Sequence, residues 1–159
     1  MKQELVSQYS ASLKMLIQTI SKCPDELWDD TNHQSPYWQI VYHSLHFTAL
    51  YLSDNETLFS PWAGHRLGAH QLGNSAAIIV SQAYLKIEME ELARQIIDTL
   101  HVKIYRQDME APSGFEWLPM NKFELHLYNL RHLQHHIGQL VERLHSVGIY
   151  GVDWIGSIN

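Results

Sequence analysis

Cysteine is nearly missing from this chain: Cys23 stands alone among 159 residues. An intrachain disulfide is therefore excluded, and the usage suits a reducing cytoplasm. Cys23 precedes Pro24 at the expected end of a helix and has no histidine close in sequence, so it reads as a small apolar residue rather than a nucleophile. Basic side chains are few. Eleven Lys and Arg are spread thinly against 17 Asp and Glu, for a formal charge of -6. Without a basic stripe, neither nucleic acid nor an anionic membrane surface is an expected partner. No apolar run approaches the roughly 20 residues that span a bilayer. The opening MKQELVSQYS carries charges and no apolar core, so no signal peptide is expected. Internal repeats and low-complexity segments are also lacking. One domain over 1–159 is the simplest organisation, and chains of about 150 residues bury roughly 68–70% of the surface their unfolded form exposes.

What remains is helical periodicity. Leu5, Tyr9, Leu13, Leu16, Ile17 and Ile20 recur at three- and four-residue spacing and predict a helix from about Glu4 to Lys22. Pro24 to Leu27 allows one further turn. A second long helix is expected to start at Ser35, with serine as cap and Pro36 behind it, and to run to about Ser53. It is apolar nearly all round, which predicts burial on more than one side. Residues 54–74, with Pro61, Gly64, Gly68 and Gly73, read as a long loop. A third helix is expected from Asn74 or Ser75 to about Leu100, using Ile78, Ala83, Leu85, Ile87, Met89, Leu92 and Ile96. A loop over about 102–118 follows, then a fourth helix from Pro119 to Ser146 with Gly148 as its stop. Four long helices and no alternating strand pattern predict an all-α fold, a four-helix bundle with long crossover loops.

Histidine is the anomaly: 11 residues, as many as Lys and Arg together. His132 and His136 lie four apart, so a helix stacks them on neighbouring turns of one face. Two imidazoles so placed can share a metal ion, as in the H-E-x-x-H motif, but the glutamate of that motif is absent and a metalloprotease is not implied. A third ligand is expected from a facing helix, and His43 on the apolar second helix is the best candidate. Against this, the apolar positions Phe123, Leu127, Leu130, Ile137, Val141 and Leu144 place His136 and His132 on the rim of the last helix, about 110° and 150° from the stripe's centre. Exposed histidines with no role are then the plain alternative. His135 points toward the polar face. His46 is a candidate to line a pocket, and His65 and His70 are loop residues able to approach a site mouth. His126 has no partner spacing of note, and Glu124 has no clear role.

Several segments together resemble the DinB superfamily of metal-binding four-helix bundles. They are Trp38-Gln39-Ile40-Val41-Tyr42-His43, the run Tyr128 to Leu140 with its Arg131-His132-Leu133-Gln134-His135-His136, and the closing Asp153-Trp154-Ile155-Gly156. The resemblance spans nearly the whole chain. It implies three histidine ligands, matching His43, His132 and His136, for a divalent metal, zinc or nickel foremost. It also implies a possible homodimer. Some members transfer low-molecular-weight thiols such as bacillithiol or mycothiol to electrophiles, and others have no known substrate. No motif here identifies a thiol cofactor.

Three neutral ligands with open positions are the arrangement of a catalytic rather than a structural metal. The expected activity is that of a metal-dependent thiol S-transferase or hydrolase acting on a small electrophile, with no catalytic side chain assigned. The alternative is a non-catalytic metal-dependent binding or sensing module. A plain helical oligomer without metal is a third reading. Imidazole ligates only when neutral, so metal affinity is expected to fall steeply between pH 8 and pH 5, around the free histidine pKa of about 6.5.

Overall fold

The computed structural model describes residues 1–73 and 82–158, and these are all-helical apart from turns and one isolated antiparallel bridge between Pro112 and Asn121. The helices are α1 (Lys2–Lys22), α2 (Asp25–Trp28), α3 (Tyr37–Tyr51), α4 (Lys86–Arg106) and α5 (Lys122–Ser146). Helix α1 packs on α4 and α5, α3 packs on the same two, and the single turn of α2 touches α3. One core fills the space between the four long helices, with Tyr9, Leu13, Leu16 and Ile20 of α1 against Met89, Ala93 and Leu100 of α4 and Leu133, Ile137 and Leu140 of α5. The spacing that predicts α1 thus marks its buried face. Helix α3 is buried on nearly every side, from Tyr37 to Tyr51, as its apolar sequence requires. No described helix is long and apolar enough to cross a membrane.

The helix starts differ from expectation, each for a local reason. Ser35 does not cap α3. Its hydroxyl accepts the Gly73 N–H at 2.9 Å, tying the long loop to the start of that helix, while Pro36 occupies the cap position. The third helix was expected from Asn74 or Ser75; that start and Ile78 lie outside the described residues. Residues 82–85 are not helical, so Ala83 and Leu85 precede α4 rather than belong to it. Glu88 accepts the Leu85 N–H at 2.8 Å and so caps the true start from one side, leucine having no side-chain acceptor to return the bond. Helix α4 then runs to Arg106, past the expected end at Leu100, because Ile104 continues the buried stripe. The last helix starts at Lys122, not Pro119. Asn121 supplies the acceptor that proline lacks, its Oδ1 taking the Glu124 N–H at 2.9 Å.

Lys122 is the buried cation of this region. Its ammonium donates to the carbonyls of Ser53 (3.2 Å), Asp54 (2.6 Å) and Ser113, joining the end of α3, the 107–121 loop and the first turn of α5. Burial lowers its pKa from the usual lysine value, with Asp54 pulling the other way. Replacing Lys122 with methionine keeps the stem but leaves three carbonyls without their donor. A loss of about 2–4 kcal/mol in urea-melt stability is expected, and a change below about 0.5 kcal/mol would show that water replaces the amine.

Candidate metal centre

Helices α3 and α5 face one another, and the contact carries three histidines. His43 Nε2 lies 3.1 Å from His132 Nε2, and His136 Nε2 lies 3.1 Å from the same atom. The ring centroids are 4.6–5.0 Å apart, with the planes steeply inclined to one another. Two imidazole nitrogens bound at about 2.0–2.1 Å to a tetrahedral ion stand about 3.3 Å apart. The cluster is therefore close to ligating geometry without rearrangement.

The far nitrogens decide what the near ones present. His43 Nδ1 donates to the main-chain carbonyl of His70 at 2.6 Å, a carbonyl being able only to accept. Its Nε2 then carries a bare lone pair. His136 Nδ1 pairs with Gln139 Oε1 at 2.8 Å, which leaves the Nε2 of that ring bare as well. These outer partners fix tautomer and ring orientation, as they do for histidines that bind metals. His132 Nδ1 is buried and has no hydrogen-bond partner among the described residues.

Burial disfavours the charged form of all three rings. Burial, and then the neighbouring histidines, push His43 down to about 3, against the pull of the His70 carbonyl. Burial, His136 and His135 take His132 down to about 4. His136 is lowered by burial and by His135, with Gln139 opposing. This moves the expected pH profile to lower pH: His43 and His132 take up protons at about 3 and about 4 rather than around 6.5, and His136 is displaced in the same direction. Metal affinity measured with a competing chelator, corrected for the chelator's own protonation, is expected to stay within about threefold from pH 8 to pH 6 and to fall below pH 5. A tenfold decline per pH unit already at pH 6 would show that the rings titrate as free imidazoles.

The rim placement is corrected for His136, which is buried, while half-buried His132 stays at the edge of the face. The buried face of α5 runs through Lys122, Leu125, His126, Asn129, Leu133, His136, Ile137, Leu140 and Leu144. On a helical wheel His136 lies about 50° and His132 about 90° from its centre. Counting only apolar residues had shifted the stripe, because Leu127 is 49% exposed while His126 and Asn129 are fully buried. His136 is only 6% exposed.

Comparison with protein-family profiles, with curated proteins and with solved structures finds no match.

The remaining candidates are distributed around this centre. His135 is exposed beside His136. Glu124 is exposed in the first turn of α5, and eight residues of helix separate it from His132 by about 12 Å along the axis. Cys23 is buried, and burial pushes its thiol up to about 12, so no thiolate nucleophile exists there. His46 lines a cavity of about 190 Å³ between α3 and α4, with Tyr42, Trp62 and Lys103 among its walls. His65 and His70 come from the loop after α3 and gather on His46 rather than on the α5 pair. The sequence carried no spacing signal for that grouping, since the loop's path sets it. A second cavity of about 320 Å³ opens at His136, bordered by Gln34, Ser35, Gln139 and Arg143.

Proposed function

We propose that the protein is a metal-dependent enzyme of the DinB-like type, a four-helix bundle in which His43, His132 and His136 hold a divalent transition metal, zinc or nickel foremost. The observation that carries this reading is the convergence of three Nε2 atoms, two of them with their opposite nitrogens already committed to oxygen acceptors. The packing of α1 and α3 each on both α4 and α5 supports the bundle. The resemblance in the segments around His43 and His132 supports the family.

A metal ion bound there supplies Lewis-acid activation of a water or of a small thiol. The chain's own residues do the rest. His43 and His136 are oriented by the His70 carbonyl and by Gln139, and burial favours the neutral, ligating form of all three rings. The cavity at His136 has room for a small electrophile, and Arg143 on its wall suits a carboxylate or another anionic group on the substrate or thiol. Arg143 is itself anchored, donating to the Ser35 carbonyl at 2.8 Å. The reaction class is thiol S-transfer or hydrolysis. One observation favours the second reading, a binding or sensing module without turnover: among the described residues no acidic side chain borders that cavity to serve as a general base.

Elemental analysis of untagged protein tests the metal first, with at least one equivalent of zinc or nickel expected. Chelation is expected to remove it and leave the helical circular dichroism intact, because the core is built from apolar residues of four helices. Collapse of the dichroism would make the metal structural. Acceleration of thiol addition to a model electrophile, lost on chelation, is the outcome expected of a transferase. Tight metal binding without any acceleration of that addition or of ester hydrolysis would favour the binding module.

A further inference from the structure

A second cluster of three histidines stands beside the first and has no part in the proposed reaction. His46 lies one turn after His43 on α3, while His65 and His70 belong to the loop that returns toward α4. One nitrogen from each lies within 4.8 Å of the other two. The His46 and His70 rings are 4.5 Å apart at 21°, and His65 stands 5.3 Å from each. We propose that His46, His65 and His70 form a second site for a divalent transition metal.

Three observations support it. His70 Nδ1 is buried without a hydrogen-bond partner among the described residues. An unsatisfied buried ring nitrogen is costly, and ligation would satisfy it. His65 is oriented from behind, its Nδ1 being 2.7 Å from the Tyr42 hydroxyl. With the Tyr42 hydroxyl engaged at Nδ1, Nε2 is the ring atom of His65 left for a ligand. Finally, the surroundings are aromatic, with Phe47 and Phe59 edge-on to His46. A cavity runs along the His46 side of the cluster, walled in part by Phe59 and Trp62.

The two clusters share a residue without sharing a ligand. The main-chain carbonyl of His70 is committed to His43, while its ring faces His46 and His65. Replacing the His70 side chain therefore leaves the carbonyl that orients His43. The second cluster is the wider of the two, and small ring rotations of the two loop histidines would bring it to the spacing of about 3.3 Å that a tetrahedral ion sets.

The experiment is a stoichiometric titration of stripped, untagged protein with Co²⁺, read by visible absorption and confirmed by elemental analysis with Zn²⁺. Wild type is expected to take two equivalents. The double variant His65→Ala/His70→Ala is expected to take one, and so is His132→Ala/His136→Ala, with different cobalt spectra. His65 and His70 are loop residues, so circular dichroism is expected to stay native in the first variant. If that variant fails to fold, the single His65→Gln variant carries the same test. Two equivalents retained after removal of the loop histidines would overturn the second site. So would a single equivalent in wild type that persists in the loop variant and disappears in the α5 variant, a result that leaves the proposed function standing. A single equivalent with the opposite pattern would support the second site and overturn the ligand set of the first.

Discussion

His132→Ala is expected to weaken metal binding at the α3–α5 centre by more than a hundredfold while leaving the fold intact. His132 is the middle member of the cluster, 3.1 Å from both other Nε2 atoms, so its loss leaves two ligands on opposite helices. Losing an outer partner of a ligand costs about 10–100-fold in affinity, and losing the ligand itself costs more. Gln139→Ala supplies the comparison. Gln139 touches only the far nitrogen of His136, so a loss of about tenfold is expected. A second readout separates a ligand from a structural histidine. His132 Nδ1 is buried and unpartnered, so without metal the wild-type ring carries an uncompensated desolvation cost. Metal-free His132→Ala is then expected to be about as stable as metal-free wild type, and the metal-dependent rise in Tm is expected to vanish. Undiminished affinity in His132→Ala would overturn the ligand assignment. A large loss of stability in the metal-free variant would make His132 a packing residue.

The convergence of His43, His132 and His136 was more legible in the sequence than the helix ends were. The i,i+4 pair His132 and His136 needs only that α5 be helical, and His43 needs only that α3 be buried against it. Both conditions follow from apolar periodicity, which is the strongest local signal a chain holds. The helix starts depend on single side-chain bonds such as Asn121 to Glu124 or Glu88 to Leu85, and permissive residues nearby, Pro119 and Ser35, offered equally good local chemistry. The burial of His136 was obscured by His126 and Asn129, polar residues on the core face that a count of apolar positions passes over. The grouping of His65 and His70 on His46 was not legible at all, because it depends on the path of a loop that has no periodicity.

The buried polar residue that misplaced the stripe has its own expected behaviour with pH. His126 is 0% exposed on the core face of α5. Its Nε2 donates to Gln107 Oε1 at 2.9 Å, and its Nδ1 lies 3.1 Å from the Tyr9 hydroxyl. Both nitrogens thus have a partner inside the fold, and the Tyr9 hydroxyl also donates to the His126 carbonyl at 3.2 Å. Burial, and then the Lys122 charge one turn earlier, push its pKa down to about 4. In the unfolded chain the ring titrates near 6.5. Between those values the unfolded chain binds a proton that the fold refuses. The contribution of His126 to stability is therefore fully present above pH 6.5 and declines as pH falls toward 4, by ~3 kcal/mol in all. Urea melts of wild type and His126→Gln at pH 7 and pH 4 isolate this, since the other titrating groups cancel in the difference. Glutamine can still donate and accept between Gln107 and Tyr9 but cannot titrate. Whatever offset the substitution introduces at pH 7, the wild type is expected to lose ~3 kcal/mol more than the variant on going to pH 4. Equal losses in both proteins would mean that His126 gains its proton inside the fold, and that the hydrogen bonds to Tyr9 and Gln107 rearrange to allow it.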